Sequence, residues 1–265
     1  MAAMTQTHSG ALPPLPPAPP EAGSPNVRTR YAVPWDWSDM LLWIAGGLVI
    51  YLTVALGLVY AEYLVNPGVM KPGSSLTNDV VFNLVNQIAL DGTAAGMVLL
   101  LVLVRRHGTP AMLGLRLPRL RWFAALPLIV ALVQAMVLAL SFASEQLFPS
   151  ATSNQCQQVK SAYGTQYALG LIAVAVAAPA AEELVFRGFL FGWLRAHLPV
   201  WSAALISGII FGAVHDQSAL AIPLMGIGVG FAYVYHRSGS IYVTMLAHAM
   251  FNAINLWPIL FQPCS

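Results

Sequence analysis

Two adjacent acids, an arginine and two histidines stand in stretches of this chain that are otherwise almost wholly apolar. Glu182, Glu183 and Arg187 lie in AAPAAEELVFRGFLFGWL, His215 closes FGAVH, and His248 opens HAMFN, with Asn252 four residues on. An ionisable group in hydrocarbon costs at least ~2.5–3.5 kcal/mol at the bilayer centre, so each needs a partner or a task. Glu183 and Arg187 are four apart on one helical face and can pair. Glu182 is rotated by about 100° from Glu183 and addresses a different neighbour. One acid is thereby left free beside two imidazoles. A carboxylate and two imidazoles converging in an apolar site suit general-base activation of a water, or metal ligation.

Composition says what must hold these groups. Apolar residues make up 58% of the chain and charged residues 8%, against about 25% charged in a soluble domain. The excess comes in long runs, which predicts an integral membrane protein, all-α, a polytopic helical bundle. Seven spans are expected, at roughly 39–63, 81–104, 122–147, 167–194, 200–215, 219–236 and 240–261. The fifth is short, as segments ending inside a protein or beside a cavity are. At ~1.5 Å per residue from the basic ends, Glu182 lies ~20 Å deep, His215 ~22 Å and His248 ~12 Å, which allows a meeting near the midplane.

Residues 1–37 form a Pro-rich tail (ALPPLPPAPPEAGSP) and juxtamembrane segment, expected to be disordered. Residues 38–165 are expected to carry the N-terminal helices and an Arg-rich loop, and 166–262 the core with the chemistry. Arg105, Arg106, Arg116, Arg119 and Arg121 crowd that loop, and Arg28, Arg30, Arg195 and Arg237 fall on the same face in a seven-span count. The bias predicts a cytoplasmic N-terminus. A net charge of +2 offers nothing to nucleic acid; the expected partners are the bilayer and a protein or peptide. Cys156 and Cys264 then share the outer side, where a disulfide can form or both can stay unpaired.

The three spacings, E-E-x-x-x-R at Glu182–Arg187, F-x-x-x-H at Phe211–His215 and H-x-x-x-N at His248–Asn252, together resemble the CPBP family of intramembrane proteases. That family takes in type-II CAAX prenyl endopeptidases, lysostaphin-resistance-like proteins and bacteriocin-processing proteins, and the likeness covers about residues 166–256. The resemblance implies Glu182 as general base, His215 sharing its water, and Glu183 with Arg187 as a supporting pair. It further implies His248 and Asn252 as oxyanion donors and Phe211 as cavity wall. It implies an endopeptidase for a prenylated or otherwise hydrophobic-tailed protein, in a bacterial plasma membrane. Members have also been described as metalloproteases, in which case a divalent metal such as zinc would be held by Glu182, His215 and His248. With no H-E-x-x-H in the sequence, the cofactor stays unknown.

Other readings compete. A non-enzymatic immunity or scaffold protein could use the same helices to bind a partner, and would not need Glu182. A proton-coupled transporter would show internal repeats, and none is convincing. An aspartyl protease needs two membrane aspartates, and only Asp91 qualifies; Ser207 lacks a nucleophile loop. Asp91, Asn83, Asn86 and Gln87 are read as interhelical hydrogen bonding, and Ser207 and Gly208 as close helix packing. Trp122, Trp193, Trp201 and Trp257 are read as interfacial anchors.

Overall fold

The structure, a computed structural model, describes residues 33–70, 80–148, 155–163, 166–215 and 220–261, and every regular element among them is helical. The Pro-rich tail and Cys264 lie outside the described residues, as do Arg28 and Arg30. Helix α1 spans Trp37–Val65, and α2 spans Val80–Leu99 and runs on through the wider π-type turns of Leu100–Arg105. The short α3 (Leu120–Ala124) leads into α4 (Leu126–Leu147), and α5 is Gln155–Tyr163. Three α segments, α6 (Tyr167–Ile172), α7 (Ala178–Glu183) and α8 (Gly192–His197), are joined by π-type turns at Ala173–Ala177 and Leu184–Phe191 into one rod. The last three are α9 (Val200–Ala213), α10 (Ala221–Ser238) and α11 (Ile241–Phe261).

These rods coincide with the seven expected spans, and the molecule is an all-α membrane bundle. Among the described residues, four helices are long and apolar enough to cross a bilayer by themselves: Trp37–Val65, Phe82–Arg105, Leu126–Leu147 and Ala168–His197. Helix α9 has 14 residues and is a shorter apolar helix. Two sequence expectations change. Residues 155–163, read as part of a loop, form α5, whose Val159 and Tyr163 are buried in a small apolar cluster with Ala173 and Leu256. His215 is not on the helix of Phe211 but in the turn after α9 has ended, where its backbone N–H bonds the Gly212 carbonyl.

The helix ends follow local chemistry. Asp36 caps α1 in a reciprocal box with Asp39, and Pro67 stands just past the helix end. Helix α10 ends at Gly239, whose φ of 68° is a left-handed conformation that a glycine adopts without strain. Helices α9 and α10 meet almost backbone to backbone. A Cβ on Gly228 would lie 2.5 Å from Gly208 Cα, and one on Gly212 would lie 2.5 Å from Met225 Cγ. Small residues at such spacing are how helices approach closely without a hydrophobic drive between them.

The Arg-rich segment is fastened to the bundle. Arg105 Nε lies 3.0 Å from Asp39 Oδ1, and Arg106 reaches both Asp39 (2.7 Å) and Asp36 (2.6 Å). The Ser38 hydroxyl, with Arg106 beside it, holds the exposed Asp36 carboxyl down at about 2. The stabilisation it lends is complete above the ordinary carboxylate pKa near ~4 and is lost as pH falls through 2. Leu113 is fully buried, the Ile241 N–H bonds the Gly114 carbonyl at 3.0 Å, and the Arg116 guanidinium donates to the Gly239 carbonyl. Trp35 is also buried: its indole N–H donates to the Phe189 carbonyl at 3.2 Å and its ring stacks on Phe189. Polar groups on the spans pair between helices, as Gln134 and Asn255 do across α4 and α11 at 2.9 Å. Tyr51 of α1 likewise donates to Asn86 of α2.

Two outcomes follow. Gly208→Leu places its side chain against Val229 and the Met225 carbonyl. It should destabilise the bundle by about 1–3 kcal/mol, read as an earlier unfolding transition in detergent, whereas Gly57→Leu, which meets nothing nearby, should not. Cys156 is disulfide-bonded, and Cys264 is the only other cysteine of the sequence. Alkylation of the unreduced, denatured chain should therefore leave Cys156 unmodified, and reduction should expose it, as read by mass spectrometry of the peptide that carries it.

Candidate active site

The rod of residues 167–197 carries the centre of the site. Glu182 and Glu183 end α7, and the π-type turns that follow put Arg187 one turn below Glu183. Such turns often mark functional positions. Glu183 and Arg187 are both fully enclosed, with Arg187 NH1 3.0 Å from Glu183 Oε1. The angle between them is poor for a hydrogen bond, and none of the three guanidinium nitrogens makes one, so the contact is an ion pair held by charge. Two aromatic faces complete the cage: Arg187 Cζ lies 4.6 Å from the Phe211 ring centre and 5.4 Å from that of Phe231.

His248 joins this pair from α11. Its Nδ1 lies 2.9 Å from Glu183 Oε1, and its ring packs against Phe231 at 5.1 Å. An ionised carboxylate can only accept, so Nδ1 carries the proton and Nε2 turns away from Glu183. That nitrogen faces Glu182 Oε2 at 3.8 Å. His215 is set in the same manner. A backbone carbonyl can only accept, so its Nδ1 donates to the Phe211 carbonyl at 2.6 Å, leaving Nε2 3.9 Å from Glu182 Oε1. Phe211 therefore touches Arg187 with its ring, His215 with its carbonyl, and Phe186 edge-on at 5.0 Å.

The result is a layered group. Glu183 and Arg187 are closed off and the His248 side chain is 5% exposed, while Glu182 and His215 are 23% and 26% exposed. Both Glu182 oxygens look at an imidazole Nε2 across a gap too long for direct hydrogen bonds, the separation at which a bridging water belongs. Asn252 sits one turn along α11 from His248, and its amide donates to the Val174 carbonyl at 2.9 Å. Asp91 of α2 accepts from Gln87 at 2.9 Å and lies within electrostatic reach of Glu182.

The structure thus brings Glu182, Glu183, Arg187, His215 and His248 together and seats Asn252 beside them. Phe231 and the Val174 carbonyl were not legible from spacing, because both reach the site across helices. As a metal centre, the donor set of one carboxylate and two imidazoles has the right chemistry. Among the described residues no group of three His, Cys, Asp or Glu side chains is found arranged to hold a metal ion, and no step is routed through one.

Residues 164–254, which contain every one of these groups except Asp91, match the family described as Type II CAAX prenyl endopeptidase Rce1-like. A protein of Bacillus subtilis (strain 168), YdiL, whose name describes it as a membrane peptidase, is 36% identical over 84 residues. The match is confined to this segment, about a third of the chain. The likeness to YdiL takes in 32% of this chain and 34% of that protein, so the chain spans about a third of the length of the curated relative it matches. No solved structure matches. Within the matching segment, the Glu183–Arg187–His248 chain is what the other groups lean on.

Replacing Arg187 by Leu leaves the Glu183 carboxylate enclosed and uncompensated, which should cost about 3–5 kcal/mol in denaturation of the purified protein. The pair Glu183→Gln with Arg187→Leu, which buries no unmatched charge, should lose clearly less than Arg187→Leu alone.

Proposed function

We propose that the protein is an intramembrane endopeptidase that hydrolyses a peptide bond in a membrane-associated, hydrophobic-tailed protein, using a water activated by Glu182 and His215. The observation that carries this reading is the free carboxylate of Glu182, flanked on both oxygens by imidazole Nε2 atoms at 3.8 and 3.9 Å and half open beside a closed ion pair. A structural salt bridge would leave no such acid. The family match and the relative's name support the same class of activity.

In this reading Glu182 takes a proton from the water while His215 Nε2 orients it, and the hydroxide attacks the scissile carbonyl carbon. His248, when it carries both protons, donates from Nε2 to the oxyanion while Glu183 holds its Nδ1–H. Asn252 has two amide hydrogens and gives one to Val174, leaving the second for the same oxyanion. As the C–N bond breaks, Glu182 returns its proton to the leaving amine. Arg187 and Glu183 touch no reacting atom and act as positioning residues. The membrane is proposed to be the bacterial plasma membrane, with the Arg-rich end and the N-terminus cytoplasmic.

Glu182→Gln and His215→Ala should each lower cleavage of a cognate substrate by roughly 10²–10⁴-fold, measured as product on a gel or by mass spectrometry. Neither should move the unfolding transition much, because both side chains are partly exposed. Full cleavage by folded Glu182→Gln protein would contradict Glu182 as the base, whereas complementation in cells by a Glu182→Gln protein that cleaves nothing would favour the scaffold reading.

A further inference from the structure

A second feature lies against α10, about a quarter-turn round the helix from the face that carries Phe231. Helices α3, α4 and α10 enclose an elongated apolar groove of about 310 Å³, walled by Ile129, Val133, Met136 and Val234 and closed at one end by Trp122 and Tyr233. Its floor is open because Gly230 has no side chain; a Cβ there would meet only Met136 Cε, at 3.5 Å. Along α4, Ile129 to Met136 covers about 10 Å. Polar lining is confined to the Trp122 end, where Arg237 ends α10.

That end is cationic and preset. Arg237 donates to the Tyr233 hydroxyl at 3.3 Å and lies over its ring, and Tyr233 in turn stacks on Trp201 at 5.0 Å, with the rings 12° from parallel. Arg121, on α3, lies over Trp122. Both arginines are exposed, and among the described residues neither has a carboxylate within ion-pair distance. An apolar slot lined at one end by Arg237, with Arg121 beside the Trp122 ring that also lines it, has the polarity of a single lipid: an acyl chain below and an anionic headgroup above.

We propose that this groove binds one anionic phospholipid, its acyl chain along Ile129–Met136 and its phosphate between Arg237 and Arg121. The adjoining face of α10 presents Phe231, buried against both Arg187 and His248. A lipid seated on α10 therefore braces the helix that cages the ion pair.

The test uses the full-length protein, stripped of lipid in detergent and titrated with phosphatidylglycerol or phosphatidylcholine, with bound lipid counted by native mass spectrometry. One tightly held phosphatidylglycerol is expected, preferred over phosphatidylcholine by about tenfold, as two arginines near a headgroup would give. Arg121→Gln with Arg237→Gln should erase the preference. Gly230→Leu should fill the slot and lower phosphatidylglycerol binding, with an unchanged helical circular dichroism spectrum. Equal binding of both lipids, or a preference that survives the arginine substitutions, would overturn the proposal. So would one-for-one displacement of the bound lipid by a lipidated peptide, which would assign the groove to substrate. None of these substitutions touches Glu182, His215 or His248, so failure here leaves the peptidase reading standing.

Discussion

An arginine enclosed between helices that cross hydrocarbon sets the terms for everything around it. Arg187 is fully enclosed and, among the described residues, none of its three guanidinium nitrogens makes a hydrogen bond, so its charge is met by the Glu183 carboxylate at 3.0 Å and by the faces of Phe211 and Phe231. Coulombic attraction is strong in such surroundings, but so is the cost of removing both ions from water, and the pair holds only if its geometry is kept. That requirement fixes the rod of residues 167–197 against α9, α10 and α11. It also occupies Glu183, which leaves the adjacent Glu182 as the acid proposed to react.

The same constraint orders the histidines. Each has its Nδ1 spoken for, by a carboxylate in one case and a backbone carbonyl in the other, so each offers Nε2 toward Glu182. Orientation of this kind, where an outer partner fixes which nitrogen faces inward, lowers the reorganisation needed at the moment of reaction. The close seam of Gly208, Gly212 and Gly228 serves it too, since α9 delivers Phe211 and α10 delivers Phe231 only if the two backbones nearly touch. Far from the chemistry, the Arg-rich segment ties the rods together through Asp36, Asp39 and Gly239.

Much of this was legible from spacing alone. The seven apolar runs became seven rods, and the four-residue step from Glu183 to Arg187, with Glu182 rotated by about 100°, separated the paired acid from the free one. Distances between helices were not legible, because a sequence period reports a face and not what that face meets. Phe231 and Val174 therefore went unseen, and so did Asp39, which sits at the start of an apolar run and is fully buried against two arginines. His215 was placed on a helix because F-x-x-x-H has helical spacing; the helix ends two residues earlier, and the turn is what lets Nδ1 reach the Phe211 carbonyl. Helix α5 was missed because QCQQVKSAY is polar and short, and only its contacts with Ala173 and Leu256 give it a buried side.

The central claim is that water itself, not a side chain, attacks the peptide bond at Glu182. The most direct measurement takes a precursor that accumulates in membranes of a Glu182→Gln strain and lets the wild-type protein cleave it in ¹⁸O-labelled water with hydroxylamine present. Every new C-terminal carboxylate should carry one solvent oxygen, with no hydroxamate formed. A hydroxamate product would reveal an acyl-enzyme, and direct attack by a Glu182-activated water would then be wrong.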